Sequence, residues 1–208
     1  MKHTTVLEMP SVGYVRLLHA VPDAPKVDVY ANQQLLASGL AYGQHTDYIP
    51  LTRGLYTFTL YAADDTEQPL LVNQLSVGIG DLYTVCICGM AATINFLAVS
   101  DFAQPPGIIN ALFRFVHLSP DTPAVDVTLP NGTLLFSQVS FQQITRYLPI
   151  APRPFNFQLR LDSNPAVVII TLPSFSLHQG KIYTLYALGL SMGTPPLDGL
   201  FLEDNNLT

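Results

Sequence analysis

The sequence VRLLHAVPDAPKVDV (residues 15–29) returns as FRFVHLSPDTPAVDV (residues 113–127). The arginine, the histidine, both prolines, both aspartates and two of the valines are identical, and most other positions exchange one apolar residue for another. A pattern repeated over this length indicates an internal duplication, and the duplication sets the architecture of the chain.

The repeat continues beyond this first stretch. Three further pairs of segments match: 47–51 (DYIPL) with 146–150 (RYLPI), 56–60 (YTFTL) with 155–159 (FNFQL), and 80–85 (GDLYTV) with 180–185 (GKIYTL). The offset drifts by one residue at a time, as loop insertions between fixed strands produce. Two domains are therefore predicted, at residues 14–103 and 112–204. Around them lie an N-terminal arm (1–13), a proline-rich linker (104–111) and a C-terminal tail (205–208).

Hydropathy patterning predicts strands. In residues 56–60 and 155–161 apolar side chains alternate with polar ones, the period of a strand with one wet face, whereas residues 182–188 are apolar on both faces and suit a central strand. The 17 prolines and 13 glycines punctuate these runs, and no window supports an amphipathic helix. The expected fold is all-β: two tandem immunoglobulin-like Greek-key β-sandwich domains.

Composition excludes some classes of function. Apolar residues make up 49% of the chain but charged residues only 12%, and the net charge is −6. Without a basic stripe, no nucleic acid partner is expected. The longest apolar run, residues 166–172, is far short of the roughly 20 residues that a membrane span needs. A surface with few charges favours association of protein with protein.

The motif order carries a resemblance to a known family. The pattern RxxHxxPDxPxVDV, followed by a GxY strand (54–56) and a GxxYT strand (80–84 and 180–184), resembles the bacterial DUF4397 family over residues 14–103 and 112–204. The resemblance implies tandem sandwich domains of bacterial surface or secreted proteins. It attaches no activity and no cofactor to them.

The first residues bear on localisation. Residues 1–10 lack the apolar core of about 7 to 15 residues that a Sec signal peptide requires, so synthesis in the cytoplasm without such a signal is expected. Signal-less relatives in spore-forming bacteria imply another route, deposition onto a spore by the mother cell. The expected location is a spore or cell surface.

Each copy places a histidine four residues before an aspartate: His19 with Asp23, and His117 with Asp121. On a loop this spacing can serve acid–base chemistry or metal binding. A turn is the favoured interpretation, in which the aspartate caps the backbone N–H two residues on and the histidine bonds that aspartate or a carbonyl. Metal binding is the alternative, although no third ligand recurs at a fixed spacing, and no cofactor is predicted.

Two further charged pairs recur between the copies. Asp28 and Asp126 lie between valines on the polar face of their strand, and Arg16 and Arg114 take the corresponding place one strand earlier. The pattern predicts cross-strand ion pairs, Arg16 with Asp28 and Arg114 with Asp126. Such a pair is worth about 0.2 to 1 kcal/mol when exposed.

The two cysteines of the chain, Cys86 and Cys88, are the last candidate site residues. At positions i and i+2 of a strand their Cβ atoms lie roughly 6.5 to 7 Å apart, beyond the approximately 3.5 to 4.5 Å of a disulfide, so they do not pair with each other. Tyr186 and Leu188 hold the same places in the second copy, which favours a covered face and buried free thiols. A disulfide to another molecule, and a metal or redox site, are the alternatives.

No motif for a nucleophile, a bound phosphate or a zinc protease is present, so the chain is not expected to be an enzyme. The leading hypothesis is a structural or adhesive protein of a bacterial surface or spore layer. It would bind itself, or other surface-layer proteins, through strand edges and terminal arms, into oligomers or filaments. Strand addition by the arm segment Thr4, Thr5, Val6 and Leu7 is the predicted mechanism.

A second hypothesis is a module that binds glycans or the cell wall. Tyrosines would supply the contact surface, among them Tyr42, Tyr48, Tyr61 and Tyr147, because a tyrosine ring is apolar while its hydroxyl stays wet. In sandwich domains tyrosine is also an ordinary boundary residue, which is the structural alternative.

Overall fold

A computed structural model of the chain describes residues 12–63, 65–101 and 109–207. The predicted strand-adding segment, Thr4 to Leu7, lies outside the described residues, as does most of the predicted linker. Strands fall into two groups, one ending at Ser100 and the other beginning at Ala111. The domain boundaries given above stay a prediction.

The first sandwich has eight strands: β1 (Val12–His19), β2 (Val27–Ala31), β3 (Gln34–Leu40), β4 (Ile49–Thr52), β5 (Gly54–Ala62), β6 (Leu71–Val77), β7 (Leu82–Cys88) and β8 (Asn95–Ser100). They form two four-stranded sheets, in the orders β4-β1-β7-β8 and β3-β2-β5-β6. We term these the inner and the outer sheet. One 3-10 turn, Ala91–Thr93, connects β7 to β8.

The second sandwich repeats this plan: β9 (Ala111–His117), β10 (Val125–Thr128), β11 (Leu134–Val139), β12 (Leu148–Ile150), β13 (Pro154–Phe155), β14 (Gln158–Leu161), β15 (Asn164–Thr171), β16 (Phe175–Ser176), β17 (Ile182–Leu188) and β18 (Asp198–Asp204). Its inner sheet is β12-β9-β17-β18 and its outer sheet is β11-β10-β14-β15, with β13 and β16 as an added two-stranded ribbon. None of the described residues forms a helix long and apolar enough to cross a membrane.

The predicted all-β sandwich fold is confirmed. Within it, the first strand of each sandwich lies inside the inner sheet: β1 pairs antiparallel with β4 and parallel with β7, and β9 pairs likewise with β12 and β17. A constant-type immunoglobulin domain has seven strands in sheets of four and three, so the two main sheets of each sandwich here add one strand to that plan, and the second sandwich has the β13–β16 ribbon besides.

Each sandwich has its own apolar core between the two sheets. In the first, Val15 and Leu17 of the inner sheet meet Phe58 and Leu60 of the outer sheet. The second core is richer in aromatic residues, with Phe113 and Phe157 stacked at 4.6 Å between ring centroids. Alternation along these strands sends every second side chain into the core, as predicted.

The inner sheets bury their other faces as well. Leu18, Cys86 and Cys88 of the first sandwich form one buried cluster with Val116 and Tyr186 of the second. Strands covered on both faces read as nearly continuous apolar runs, which explains why residues 182–188 lack alternation. The two sandwiches are therefore joined through their inner sheets.

Candidate functional site

Four charged side chains meet where the sandwiches touch: Arg16, Asp101, Arg114 and Asp204, which we term the interface charge cluster. All four are buried, at 5% exposure or less. Arg16 on β1 donates to Asp204 Oδ1 at 2.8 Å, at the end of β18. Arg114 on β9 pairs with Asp101, just after β8. Each arginine thus binds the aspartate that closes the other copy of the repeat.

Both guanidinium groups are fully bonded. Arg16 donates from Nε and Nη2 to Thr84 Oγ1, at 3.0 and 2.9 Å, and from Nη1 to the Glu203 carbonyl at 2.9 Å. The second arginine makes equivalent bonds, to Thr184 Oγ1 and to the Ser100 carbonyl, each at 2.8 Å. With every donor nitrogen engaged, the arginines act as clamps rather than as groups available to a ligand.

Two tyrosines, Tyr48 and Tyr147, each contact the arginine of one pair and the aspartate of the other. Tyr48 donates its hydroxyl to Asp101 Oδ2 at 2.6 Å, and its ring lies 4.6 Å from the guanidinium carbon of Arg16. Tyr147 does the same for Asp204, at 2.7 Å, and for Arg114, at 4.3 Å. These cation–π contacts and hydrogen bonds offset part of the cost of burying four charges.

The surroundings of Asp101 change its acidity. Burial and the negative charge of Asp204 raise the pKa of this carboxyl, Arg114 and Arg16 oppose them, and the net result is a pKa of about 6. Thr84 Oγ1 donates to Asp101 Oδ2 at 2.6 Å and favours the ionised form. The cluster therefore holds its charges by pairing them across the interface.

The predicted cross-strand pairs, Arg16 with Asp28 and Arg114 with Asp126, are wrong. Asp28 accepts the N–H of Gly39 at 2.7 Å, and Asp126 accepts the N–H of Gln138 at 2.9 Å. Both acceptors stand beside register shifts in which a residue takes positive φ, +62° at Gly39 and +55° at Gln138. The aspartates fix these bulges in the outer sheet, whereas the arginines lie in the inner sheet.

Asp101 and Asp204 were not predicted from the sequence. Each stands two residues after the apolar stretch of the last strand, LAV (97–99) in the first copy and LFL (200–202) in the second. This shared position is the signal that the sequence offers for them. It does not show that each aspartate pairs with the arginine of the other copy.

His19 and Asp23 hold the turn after β1. His19 Nε2 lies 3.1 Å from the Pro25 carbonyl, and Nδ1 accepts the Val21 N–H at 3.2 Å, so the ring bonds as the neutral Nε2–H form. The predicted bond to a carbonyl is present. The cap two residues on is not, because Pro25 has no N–H; Asp23 accepts the N–H of Ala91 at 2.8 Å instead.

The second copy repeats the carbonyl contact and the aspartate bonds, but the buried Nδ1 of His117 accepts no hydrogen bond from the described residues. His117 Nε2 lies 3.3 Å from the Pro123 carbonyl, and Asp121 accepts the N–H groups of Ser191 and Met192 at 2.8 and 3.2 Å. These aspartates tie the first turn of each sandwich to the connection before its last strand. Within residues 12–63, 65–101 and 109–207, no group of three or more potential ligands gathers to hold a metal ion.

Burial lowers the pKa of both His19 and His117 below the ordinary value of 6.5. The unfolded chain therefore takes up protons at these positions at a higher pH than the folded chain. The stability that the neutral rings contribute is present above pH 6.5 and is lost as the pH falls toward the folded pKa. Urea denaturation across this range is expected to show a decline of up to about 1.4 kcal/mol per pH unit for each histidine.

Two double variants separate this effect from other titrations. His19→Gln with His117→Gln is expected to flatten the decline, whereas His45→Gln with His178→Gln, at exposed positions, keeps it. The titration of Asp101 changes stability in the opposite direction, since a raised carboxyl pKa adds stability that is lost as the pH rises through about 6. Asp101 is present in all the proteins compared, so its contribution does not distinguish the two double variants. Equal slopes in the two double variants would contradict the assignment.

Cys86 and Cys88 are free and buried, both at 0% exposure, within the cluster between the inner sheets. Burial raises the pKa of the Cys88 thiol to about 11, and that of Cys86 well above its usual value. Thiols held protonated and covered are poor nucleophiles. A disulfide to another molecule would require the two sandwiches to separate.

Two surfaces stay open on the outer sheets. Strand β15 forms one edge of its sheet, and its first five residues are exposed. On the first sandwich, Tyr30 and Tyr61 lie on the solvent side of the outer sheet, with ring centroids 5.7 Å apart. Tyr42 lies elsewhere, in a groove between the sandwiches beside Leu188 and Pro195.

Sequence comparison gives one family. The profile described as "Domain of unknown function (DUF4397)" matches two overlapping segments, residues 13–128 and 111–208, which begin at the start of the first and of the second copy of the repeat. No curated protein has a significant sequence match to the chain.

Solved structures give weak likenesses. The Bacillus anthracis TIE protein is 10% identical, with a TM-score of 0.28 over 86% of this chain and 34% of its own, so the chain spans about a third of that protein. The family 26 carbohydrate-binding module CBMbc from Eubacterium rectale Amy13K, solved with maltoheptaose, is 9% identical, with a TM-score of 0.27 over 95% of this chain and 98% of its own. A leucine-rich repeat protein from Bacteroides thetaiotaomicron is 16% identical, with a TM-score of 0.23 over 90% and 27%. TM-scores this low carry no argument about function.

Proposed function

The chain belongs to the DUF4397 family, and we propose that it is a non-enzymatic structural or adhesive protein of a bacterial surface or spore layer. In this proposal, copies of the chain associate with one another through the edge strand β15. The two sandwiches form one unit, because the interface charge cluster and the apolar cluster beside it hold the inner sheets together. Such a unit presents its edges in a fixed arrangement.

The exposed edge of β15 carries the proposal. The strand reads NPAVVIIT, without a charged residue, and Val167 and Val168 are 43% and 38% exposed. Edge strands in soluble proteins are normally protected by charges, by proline or by a covering element. Pro165 lacks one N–H near the start of the strand, and the register against β14 shifts on both sides of Val168. The proposed pairing is therefore placed in the apolar stretch 167–170 rather than along the whole strand.

Support also comes from the surface as a whole. Only 12% of the residues are charged, so that copies repel one another weakly. The arm segment Thr4 to Leu7 is the predicted donor strand, and it lies outside the described residues. The alternative donor strand is β15 of a second copy of the chain, which would pair edge to edge with β15 of the first.

We expect Val168→Lys to abolish self-association, because a lysine on an edge strand blocks pairing at little cost to the fold. The matched control is Val72→Lys on β6, the edge strand at the same place in the first sandwich, where Val72 is 52% exposed but polar residues interrupt the apolar run. Light scattering coupled to gel filtration, with electron microscopy of concentrated samples, measures assembly. Deletion of residues 1–11 tests the arm as donor.

The expected result is assembly by the unaltered chain and by Val72→Lys, and none by Val168→Lys. An unaltered chain that remains monomeric at high concentration would overturn the proposal. So would identical assembly by Val168→Lys. Assembly that survives loss of residues 1–11 would exclude the arm and leave β15 pairing with its own copy.

A further inference from the structure

A shallow pocket opens on the solvent face of the first sandwich's outer sheet. It is lined by Tyr30, Gln33, Thr59, Tyr61 and Thr66, which we term the tyrosine pocket. The pocket shares no residue with the interface charge cluster or with β15. None of its five side chains is charged.

Strand alternation places the two rings side by side. On β2, Val29 faces the core and its neighbour Tyr30 faces solvent; on β5, Leu60 faces the core and Tyr61 faces solvent. The register pairs Val29 with Leu60, so the two tyrosines are diagonal neighbours on adjacent strands. The two ring planes are perpendicular, at 90°, so the rings of Tyr30 and Tyr61 form adjacent walls of the pocket.

The polar groups of the pocket have bonding capacity to spare. Among the residues that the structure describes, no hydrogen bond joins the side chains of Tyr30, Gln33, Thr59, Tyr61 or Thr66 to another residue. Hydroxyls both donate and accept, and the amide of Gln33 offers two donors and one acceptor oxygen. A ligand rich in hydroxyls can satisfy all of them.

The second sandwich fills the same place with its own side chains. Thr128, Arg160 and Gln158 stand where the first sandwich has Tyr30, Tyr61 and Thr59. Arg160 donates to Thr128 Oγ1 at 3.0 Å, to Gln158 Oε1 at 2.7 Å and to the Pro165 carbonyl at 2.8 Å. These groups bond to one another, so the open aromatic pocket is a property of the first sandwich alone.

We propose that the tyrosine pocket binds a neutral oligosaccharide. A sugar ring has an apolar C–H face that packs on a tyrosine ring, and hydroxyls at its edge that suit the Gln33 amide and the threonines. Charge selects against acidic sugars: Asp65 and Glu67 flank Thr66, are both exposed, and repel carboxylates and sulfates. The inference does not rest on self-association through β15.

Binding is tested with hexasaccharides of glucose, mannose and N-acetylglucosamine as neutral probes, and with an oligogalacturonate as the acidic probe, by isothermal titration calorimetry on the full chain. The test variant combines Tyr30→Thr with Tyr61→Arg, which places in the first sandwich the residues that the second already accommodates. Tyr61→Ala is a second, milder variant. Arg160→Ala is the control at the matching site, and thermal unfolding verifies folding of each protein.

At least one neutral probe is expected to bind, and binding is expected to fall by about tenfold or more in Tyr61→Ala and in the double variant, because a lost ring removes apolar contact and stacking. Arg160→Ala is expected to bind as the unaltered chain does. No binding of any neutral probe would overturn the inference. Preference for the acidic probe, or unchanged affinity in both tyrosine variants, would do so as well. Val168→Lys is expected to bind sugar normally, so that failure of this inference and failure of the proposed assembly are told apart.

Discussion

Replacing Arg114 with alanine is expected to lower the free energy of unfolding by about 3–5 kcal/mol. The substitution leaves the buried carboxylates of Asp101 and Asp204 with one guanidinium in place of two. A buried pair roughly balances its own desolvation, whereas a buried charge without its partner does not. Urea denaturation at neutral pH, followed by circular dichroism, measures the loss.

Two comparisons make this result specific. Arg53 is exposed, so Arg53→Ala is expected to change the free energy by no more than about 0.5 kcal/mol. Adding Asp101→Asn to Arg114→Ala removes one charge of each sign and is expected to recover part of the loss. A loss below about 1 kcal/mol for Arg114→Ala, or no recovery in the double variant, would contradict the account of the cluster.

The second large effect is expected at a glycine. Gly189→Ala should lower the free energy of unfolding by about 3 kcal/mol or more, because two costs coincide. Gly189 has φ of +87°, in the left-handed region that side chains disfavour. An added Cβ would also collide with the carbonyl oxygen of Pro196, which is backbone and cannot turn aside.

Gly180 provides the matched control. Its φ is +73°, and nothing lies within 4 Å of the place where its Cβ would stand. Gly180→Ala therefore carries the backbone cost alone, about 1–2 kcal/mol. The difference between the two variants measures the collision, and equal losses in the same denaturation experiment would show that the loop before Pro196 can move.

The sandwich fold could be predicted because its signals are local. In the segment that became β5, the alternation of Tyr56, Phe58 and Leu60 with threonines shows directly which side chains face the core. The repeat then doubles every such observation. Strand β17, apolar on both faces, was correctly predicted to be central.

The interface could not be predicted in the same way. Alternation places Arg16 on the face opposite the core, and a charged residue on that face predicts contact with solvent. Leu18 and Cys86 share this face, and the structure covers it with Val116 and Tyr186. A sequence pattern tells which face of a strand a side chain occupies but not which element covers that face. The partners of Arg16 can therefore be identified only from the arrangement of the two sandwiches.

The tyrosine pocket could be predicted from the sequence only in part. Tyr61 was among the tyrosines proposed for a glycan surface, whereas Tyr30 was not, because their proximity depends on the register of β2 against β5. Tyr42 stands in the groove between the sandwiches and not in this pocket, and Tyr48 and Tyr147 bond to the aspartates of the interface charge cluster. Adjacent strands bring together residues 31 positions apart in the chain, which spacing alone does not reveal.

The reciprocal pairing of the arginines has a consequence for a single copy of the repeat. Each copy carries an arginine on its first strand and an aspartate at or just after the end of its last, and each arginine meets the aspartate of the other copy. This is the geometry of an isologous dimer, in which one patch is complementary to itself across a two-fold axis. Joining the two halves in one polypeptide makes the encounter intramolecular, so the interface forms at any dilution and the halves are free to diverge on their outer faces.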